Sequence, residues 1–227
     1  MLSVSELFLN CGILHADQRQ ERRIMFITFE GIGGCGKTTQ IEKLVEALKS
    51  QGHKVIRTRE PGGSPCAEEI RRLILEGDKG KWSPETEILL FNAARRDHCE
   101  RVIWPQQEHG AIVVSDRFVD STRVYQGVAR ADLRQLVDTL HEVVIGYEPD
   151  LVLIIDVTAE EGQRRIRAAR RDEQDRFDEM GLQFQQALRD GYLALVRTSS
   201  RAIVIDGNGS PDEVFERVWE AVQNSLP

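Results

Sequence analysis

Residues 31–39 read GIGGCGKTT and follow, after Glu30, on an apolar run, IMFITF, at 24–29. Gly31, Gly36, Lys37 and Thr38 satisfy G-x-x-x-x-G-K-[ST], a pattern that carries weight where a strand precedes it and a helix follows. The helical spacing of 38–50 supplies the second half of that context. Glycines at these positions let successive backbone N–H groups turn inward around phosphate oxygens. A simple helix cap would account for Gly31, but not for Lys37 and Thr38 together.

The rest of the chain repeats the strand-then-helix order. Runs rich in Val and Ile at 25–29, 54–58, 111–115, 151–156 and 202–206 read as buried strands. Helical spacing fills 38–50, 66–75, 84–108, 131–145, 159–171, 177–198 and 211–224. This alternation predicts a three-layer α/β fold, a five-stranded parallel sheet with helices on both faces and ligands at the carboxyl ends of strands. A length of 227 residues suits one domain, placed at 25–227. Residues 1–24 read as an N-terminal extension, either dispensable or the product of an over-long gene start.

Composition removes several classes of function. Thirty-seven acidic against 30 basic residues, a net charge of -7, argue against a nucleic-acid backbone as partner. No apolar run approaches the ~20 residues of a membrane helix. Cys11, Cys35, Cys66 and Cys99 form no C-x-x-C pair, so neither a disulfide framework nor a zinc site is expected, and a reducing cytoplasm fits. The five histidines, His15, His53, His98, His109 and His141, have no metal spacing and receive no catalytic role.

The glycine turn therefore predicts a nucleoside triphosphate site for ATP. Gly31, Ile32, Gly33, Gly34, Cys35, Gly36 and Thr39 form the cradle, Lys37 reaches the outer phosphates and the Thr38 hydroxyl ligates Mg²⁺. No N-K-x-D tetrad occurs, which argues against a guanine switch. Phe91 and Arg95 lie four apart on one helix face, either as a base-stacking and base-reading pair or as a core Phe beside a solvated Arg. Asp116 and Arg117 end a predicted strand, either at the ligand edge or as a surface ion pair.

Five further segments occur in a recognisable order: TREPGG at 58–63, LLFNAARRDH at 89–98, DRFVDSTRVYQG at 116–127, DRFD at 175–178 and GYLAL at 191–195. With the phosphate turn, this set resembles the thymidylate kinase family across residues 25–225. The resemblance implies a P-loop NTPase fold, transfer of a phosphoryl group from ATP to dTMP with Mg²⁺, and a homodimer. It implies that Phe91 stacks on thymine, Arg95 reads its carbonyl, Asp116 serves the Mg²⁺ and water network, and Arg117 holds the acceptor phosphate. By the same likeness Ser121, Thr122, Tyr125 and Gln126 contact base and sugar, and Glu60 and Arg71 flank the acceptor pocket. Arg71 would clamp the monophosphate, Pro61 bound the base, and Glu30 lie near the sugar 3′-hydroxyl and metal.

Arg164, Arg165, Arg167, Arg170, Arg171 and Arg176 crowd one stretch, read as a short Arg-rich lid around 162–178. The family places an arginine either within the phosphate turn or in the lid, and residues 32–35 hold none. Arg167, Arg170 or Arg171 is thus expected at the transferring phosphate, and spacing does not choose among them. Two departures stand out: Gly33 where an acidic residue is common, and Ala187 where an arginine often precedes the G-Y-L segment. Other readings are a kinase for another deoxynucleoside monophosphate such as dUMP, and a nucleotide-binding regulator without turnover.

Overall fold

A computed structural model of the chain describes residues 25–78, 80–129, 133–168, 177 and 180–226. The predicted extension at 1–24 and the arginines Arg170, Arg171 and Arg176 lie outside these residues.

Five parallel strands, β1 (Phe26–Glu30), β2 (Val55–Arg59), β3 (Ile112–Asp116), β4 (Leu151–Asp156) and β5 (Ala202–Asp206), form one sheet in the order β2-β3-β1-β4-β5. β1 is central and buried along its whole length, Thr28 and Glu30 included. The central strands are continuous apolar runs because helices cover both faces, whereas β2 and β5, at the edges, are partly exposed. The chain leaves β1 for one edge, returns through β3, then crosses to β4 on the far side. That reversal opens a crevice at the carboxyl ends of β1, β3 and β4, where Glu30, Asp116 and Asp156 stand.

Around the sheet pack α1 (Lys37–Ser50), α2 (Pro65–Leu75), α3 (Pro84–His98), α4 (Trp104–Glu108), α5 (Val119–Ala129), α6 (Arg134–Val144), α7 (Ala159–Ala168), α8 (Leu182–Val196) and α9 (Pro211–Gln223). Caps fix several of their starts. The Ser64 and Ser83 side chains accept from the Ala67 and Thr86 amides, each followed by Pro at the first helical position, and Ser210 with Glu213 closes a capping box.

The span read as one helix at 84–108 is broken by a π-helical turn, Cys99–Ile103, in which the Trp104 amide bonds to the Cys99 carbonyl. Pro105 explains it, since proline has no N–H to donate and its ring crowds the preceding turn. The helix expected from 177 begins at Leu182, after Gly181 with φ 87°. α5 was absent from the helical spacing because its residues include the β-branched Val119, Thr122 and Val124, which weaken the periodic signal.

Candidate active site

The phosphate turn leaves the centre of the sheet and runs into α1, whose positive dipole end faces the turn. Lys37 is buried, and its Nζ donates to the Gly31 and Ile32 carbonyls at 3.1 Å each while lying 3.5 Å from the Cys35 Sγ. Ile32 and Cys35 are buried, Thr39 is exposed, and Thr38 is half-buried. Helix α7 roofs the turn through two glycines. A Cβ on Gly34 would overlap the Gly162 carbonyl oxygen, and one on Gly162 would lie 2.7 Å from the Gly33 oxygen. Arg165 then crosses the turn: Nε donates to Glu161 Oε1 at 2.6 Å, Nη1 to the Cys35 carbonyl at 3.4 Å and Nη2 to the Gly207 carbonyl at 3.2 Å.

On the other side of Gly31 sits a buried polar cluster. The Glu30 carboxylate accepts from the Phe118 amide at 2.8 Å, the Ser121 hydroxyl at 2.6 Å and the Tyr192 hydroxyl at 3.2 Å. Burial, with the nearby Asp120 charge, pushes its pKa up to about 7, against the lowering pull of Arg117. Both Glu30 oxygens are thus occupied by protein donors. Arg117, at φ 71°, places Nη1 3.1 Å from the Gly31 carbonyl, 2.9 Å from Ser121 Oγ and 3.0 Å from the Tyr192 hydroxyl. Its Nη2 donates to the Tyr125 hydroxyl at 3.1 Å, with the guanidinium over that ring. A left-handed backbone on a long side chain is strained, of order 1–3 kcal/mol, and here it aims the guanidinium at the turn. Phe177, from the DRFD segment, meets the Tyr125 ring edge-on at 5.5 Å.

A third group lies between α3 and α5. Arg95 is 2% exposed, and its Nε donates to Glu60 Oε2 at 2.8 Å, its Nη2 to Thr122 Oγ1 at 3.0 Å. The guanidinium also lies over the Phe118 ring, 5.1 Å from its centroid. Nη1 of Arg95 and Oε1 of Gln126 are buried with no hydrogen-bond partner among the described residues. Gln126 Nε2 donates to Glu87 Oε2 at 3.1 Å. Phe91 is half-buried one turn before Arg95, and no ring is stacked on it among the described residues. Arg71 Nη1 donates to the carbonyl of the buried Pro61 at 2.6 Å, whereas Arg72 is exposed.

Asp116 and Thr38 complete the set. Neither side chain has a hydrogen-bond partner among the described residues, and both offer the hard oxygen donors that suit Mg²⁺. Of the lid candidates only Arg167 is described; it is exposed and donates to Gln163 Oε1 at 3.4 Å. Arg189, not the position of Ala187, is the α8 arginine that reaches the crevice, pairing bidentately with Asp156 at 2.7 and 2.8 Å. Glu87, His98, Arg165, Arg189 and Tyr192 belong to the site or its walls and were not singled out from sequence. Tyr192 lay within the GYLAL motif, His98 within LLFNAARRDH and Arg165 within the arginine run, so those three had a signal.

The sequence model of thymidylate kinase matches residues 29–218. The chain belongs to the thymidylate kinase family. It is 54% identical to the thymidylate kinase of Ruegeria pomeroyi over 203 residues, covering 89% of this chain and 96% of that one. To the thymidylate kinase of Dinoroseobacter shibae it is 57% identical over 189 residues, 83% and 91% of the two chains. Among solved structures, the thymidylate kinase of Ehrlichia chaffeensis superposes with a TM-score of 0.69 at 34% identity, covering 88% of this chain and 98% of that one. Membership of this family makes the chain a kinase with the α/β fold described above. No described helix is long and apolar enough to cross a membrane.

Proposed function

We propose that the chain phosphorylates dTMP to dTDP with ATP by direct in-line transfer. The observation that carries the choice of base is the pair of unsatisfied buried atoms, a donor at Arg95 Nη1 and an acceptor at Gln126 Oε1. Leaving such atoms unpaired costs ~1–3 kcal/mol each, so a ligand that satisfies both is strongly favoured. Thymine offers the complement, a carbonyl acceptor at O4 beside a donor at N3–H. Cytosine offers the reverse order. Guanine shares thymine's pattern but on a larger ring system, with Phe91 as the stacking face.

On the donor side the glycine turn, Lys37 and the start of α1 receive the ATP phosphates, and Arg117 lies beside Gly31 to hold the acceptor phosphate. The acceptor oxygen is already ionised near neutral pH, so no general base is required, and catalysis rests on alignment and charge neutralisation. Thr38 and Asp116 would hold Mg²⁺, which when bound neutralises charge on the phosphate oxygens. One lid arginine among Arg167, Arg170 and Arg171 would add a cation at the transferring phosphate. Membership of the family supports a homodimer, for which the exposed Leu73, Leu89 and Leu136 offer apolar contacts. Light scattering should then give twice the chain mass.

ADP release with dTMP, dUMP, dCMP, dAMP and dGMP offered separately tests this reading. The expected order is dTMP first, dUMP lower by about 10- to 200-fold for the missing methyl, and the other three near background. Turnover of dCMP matching that of dTMP, or no ADP with dTMP, would overturn it.

A further inference from the structure

Arg95 can read a base only if its guanidinium is held still, and its holder is itself held. Glu60 uses one carboxylate oxygen for Arg95 Nε and the other, Oε1, for Nδ1 of His98 at 3.1 Å. His98 is fully buried at the last position of α3, and its Nε2 lies 2.6 Å from Thr58 Oγ1 on β2. A carboxylate only accepts, so Nδ1 carries the proton, and in the neutral ring Nε2 accepts from the Thr58 hydroxyl. The loop after β2 closes onto the same imidazole. A Cβ on Gly63 would overlap His98 Nε2 and lie 2.6 Å from Thr58 Oγ1. The result is a line from the half-buried Thr58 through the buried His98, Glu60, Arg95 and Thr122, with Arg95 Nη1 left unsatisfied.

We propose that His98 is a positioning residue for nucleobase recognition, fixing Glu60 and through it the orientation of Arg95. The proposal rests on the dTMP kinase reading. Without the imidazole donor, one Glu60 oxygen is left buried and unpaired, and the carboxylate can rotate away from Arg95. Desolvation makes that loss costly, because Glu60 is buried and its Oε1 has no other donor among the described residues. His98 is fully buried and reaches Arg95 only through Glu60, so its effect falls on affinity and choice of the monophosphate. The ATP site, on the far side of β1, is unaffected.

Two variants separate the roles of the ring nitrogens. The Asn amide nitrogen can occupy the place of Nδ1 and still donate to Glu60, whereas the Gln amide reaches only the place of Nε2. Wild-type turnover of dTMP comes first, since its failure would sink the underlying reading and not this one. His98→Gln should then raise KM for dTMP about tenfold, with a smaller fall in kcat and an unchanged KM for ATP. The rate with dCMP relative to dTMP should increase. His98→Asn, which keeps the donor to Glu60 and loses only the link to Thr58, should raise KM for dTMP by no more than about threefold, as Thr58→Val should. Thr58→Val, which removes the donor to Nε2 with little change in shape, should raise KM for dTMP in the same direction, and it carries the test if His98→Gln does not fold. Equal impairment by the Gln and Asn variants, or an unchanged KM in both His98→Gln and Thr58→Val, would overturn the proposal.

Discussion

Arg95 shows why a buried cation can serve recognition and stability together. Its Nε neutralises Glu60, so removing the guanidinium leaves a carboxylate that is 5% exposed without its cationic partner. Arg95→Ala should therefore lose stability by about 3 kcal/mol or more, read as a fall in melting temperature. Arg95→Lys keeps the charge but loses the planar fork, and it should raise KM for dTMP by at least tenfold while melting closer to wild type; a ratio near one would contradict the base-reading role. The helical spacing placed Phe91 and Arg95 on one face four residues apart, and the family likeness, not the spacing, supplied their expected base-reading roles. The roles of Glu87, His98 and Tyr192 were not legible, even though His98 and Tyr192 lie within the segments that carry that likeness. Each acts through a partner remote in the chain, as when the Tyr192 hydroxyl reaches Glu30 across 162 positions.

Elements show the same contrast between local and long-range signals. The sequence-based spans for β4 and β5 coincide with the observed strands, and those for β1, β2 and β3 are displaced by one residue, because buried parallel strands are apolar runs with clear ends. Strand order and the docking of α7 depend on packing that no local pattern records. That docking has a sharp consequence. The Gly34 and Gly162 backbones meet too closely for any Cβ, and Arg165 from the next turn of α7 bridges the phosphate turn to the loop after β5. Gly162→Ala should push α7 off the turn, raising KM for ATP about tenfold while leaving that for dTMP within about twofold. Equal effects on both substrates would mean that α7 does not act through the phosphate turn.

At the scale of the whole molecule, a buried carboxylate, Glu30, and a half-buried one, Glu148, pull stability in opposite directions with pH. Burial and the Asp120 charge raise Glu30 from 4.5 to about 7, so the folded state holds a proton that the unfolded chain has released. Its contribution is fully present below about pH 4.5 and fades as pH rises toward 7, at up to ~1.4 kcal/mol per unit. Glu148 behaves oppositely. Burial works to raise it, but His141 at 3.3 Å and Arg123 at 2.6 Å outweigh that and hold it well below the usual carboxylate range. Its contribution is present above about 4.5 and is lost as pH falls further. Arg123 also bonds Asp120 and Asp138, so this cluster ties α5, α6 and the segment before β4 together. Unfolding free energies from denaturant titrations at pH 4, 5, 6, 7 and 8 should therefore decline from pH 5 to 7 in the wild type, and Glu30→Gln should flatten that decline. Glu148→Gln should leave the pH 5 to 7 decline intact and weaken the acid-side loss. If Glu30→Gln shows the same slope as wild type between pH 5 and 7, the carboxylate beneath Arg117 is ionised throughout that range and the loss of stability originates elsewhere.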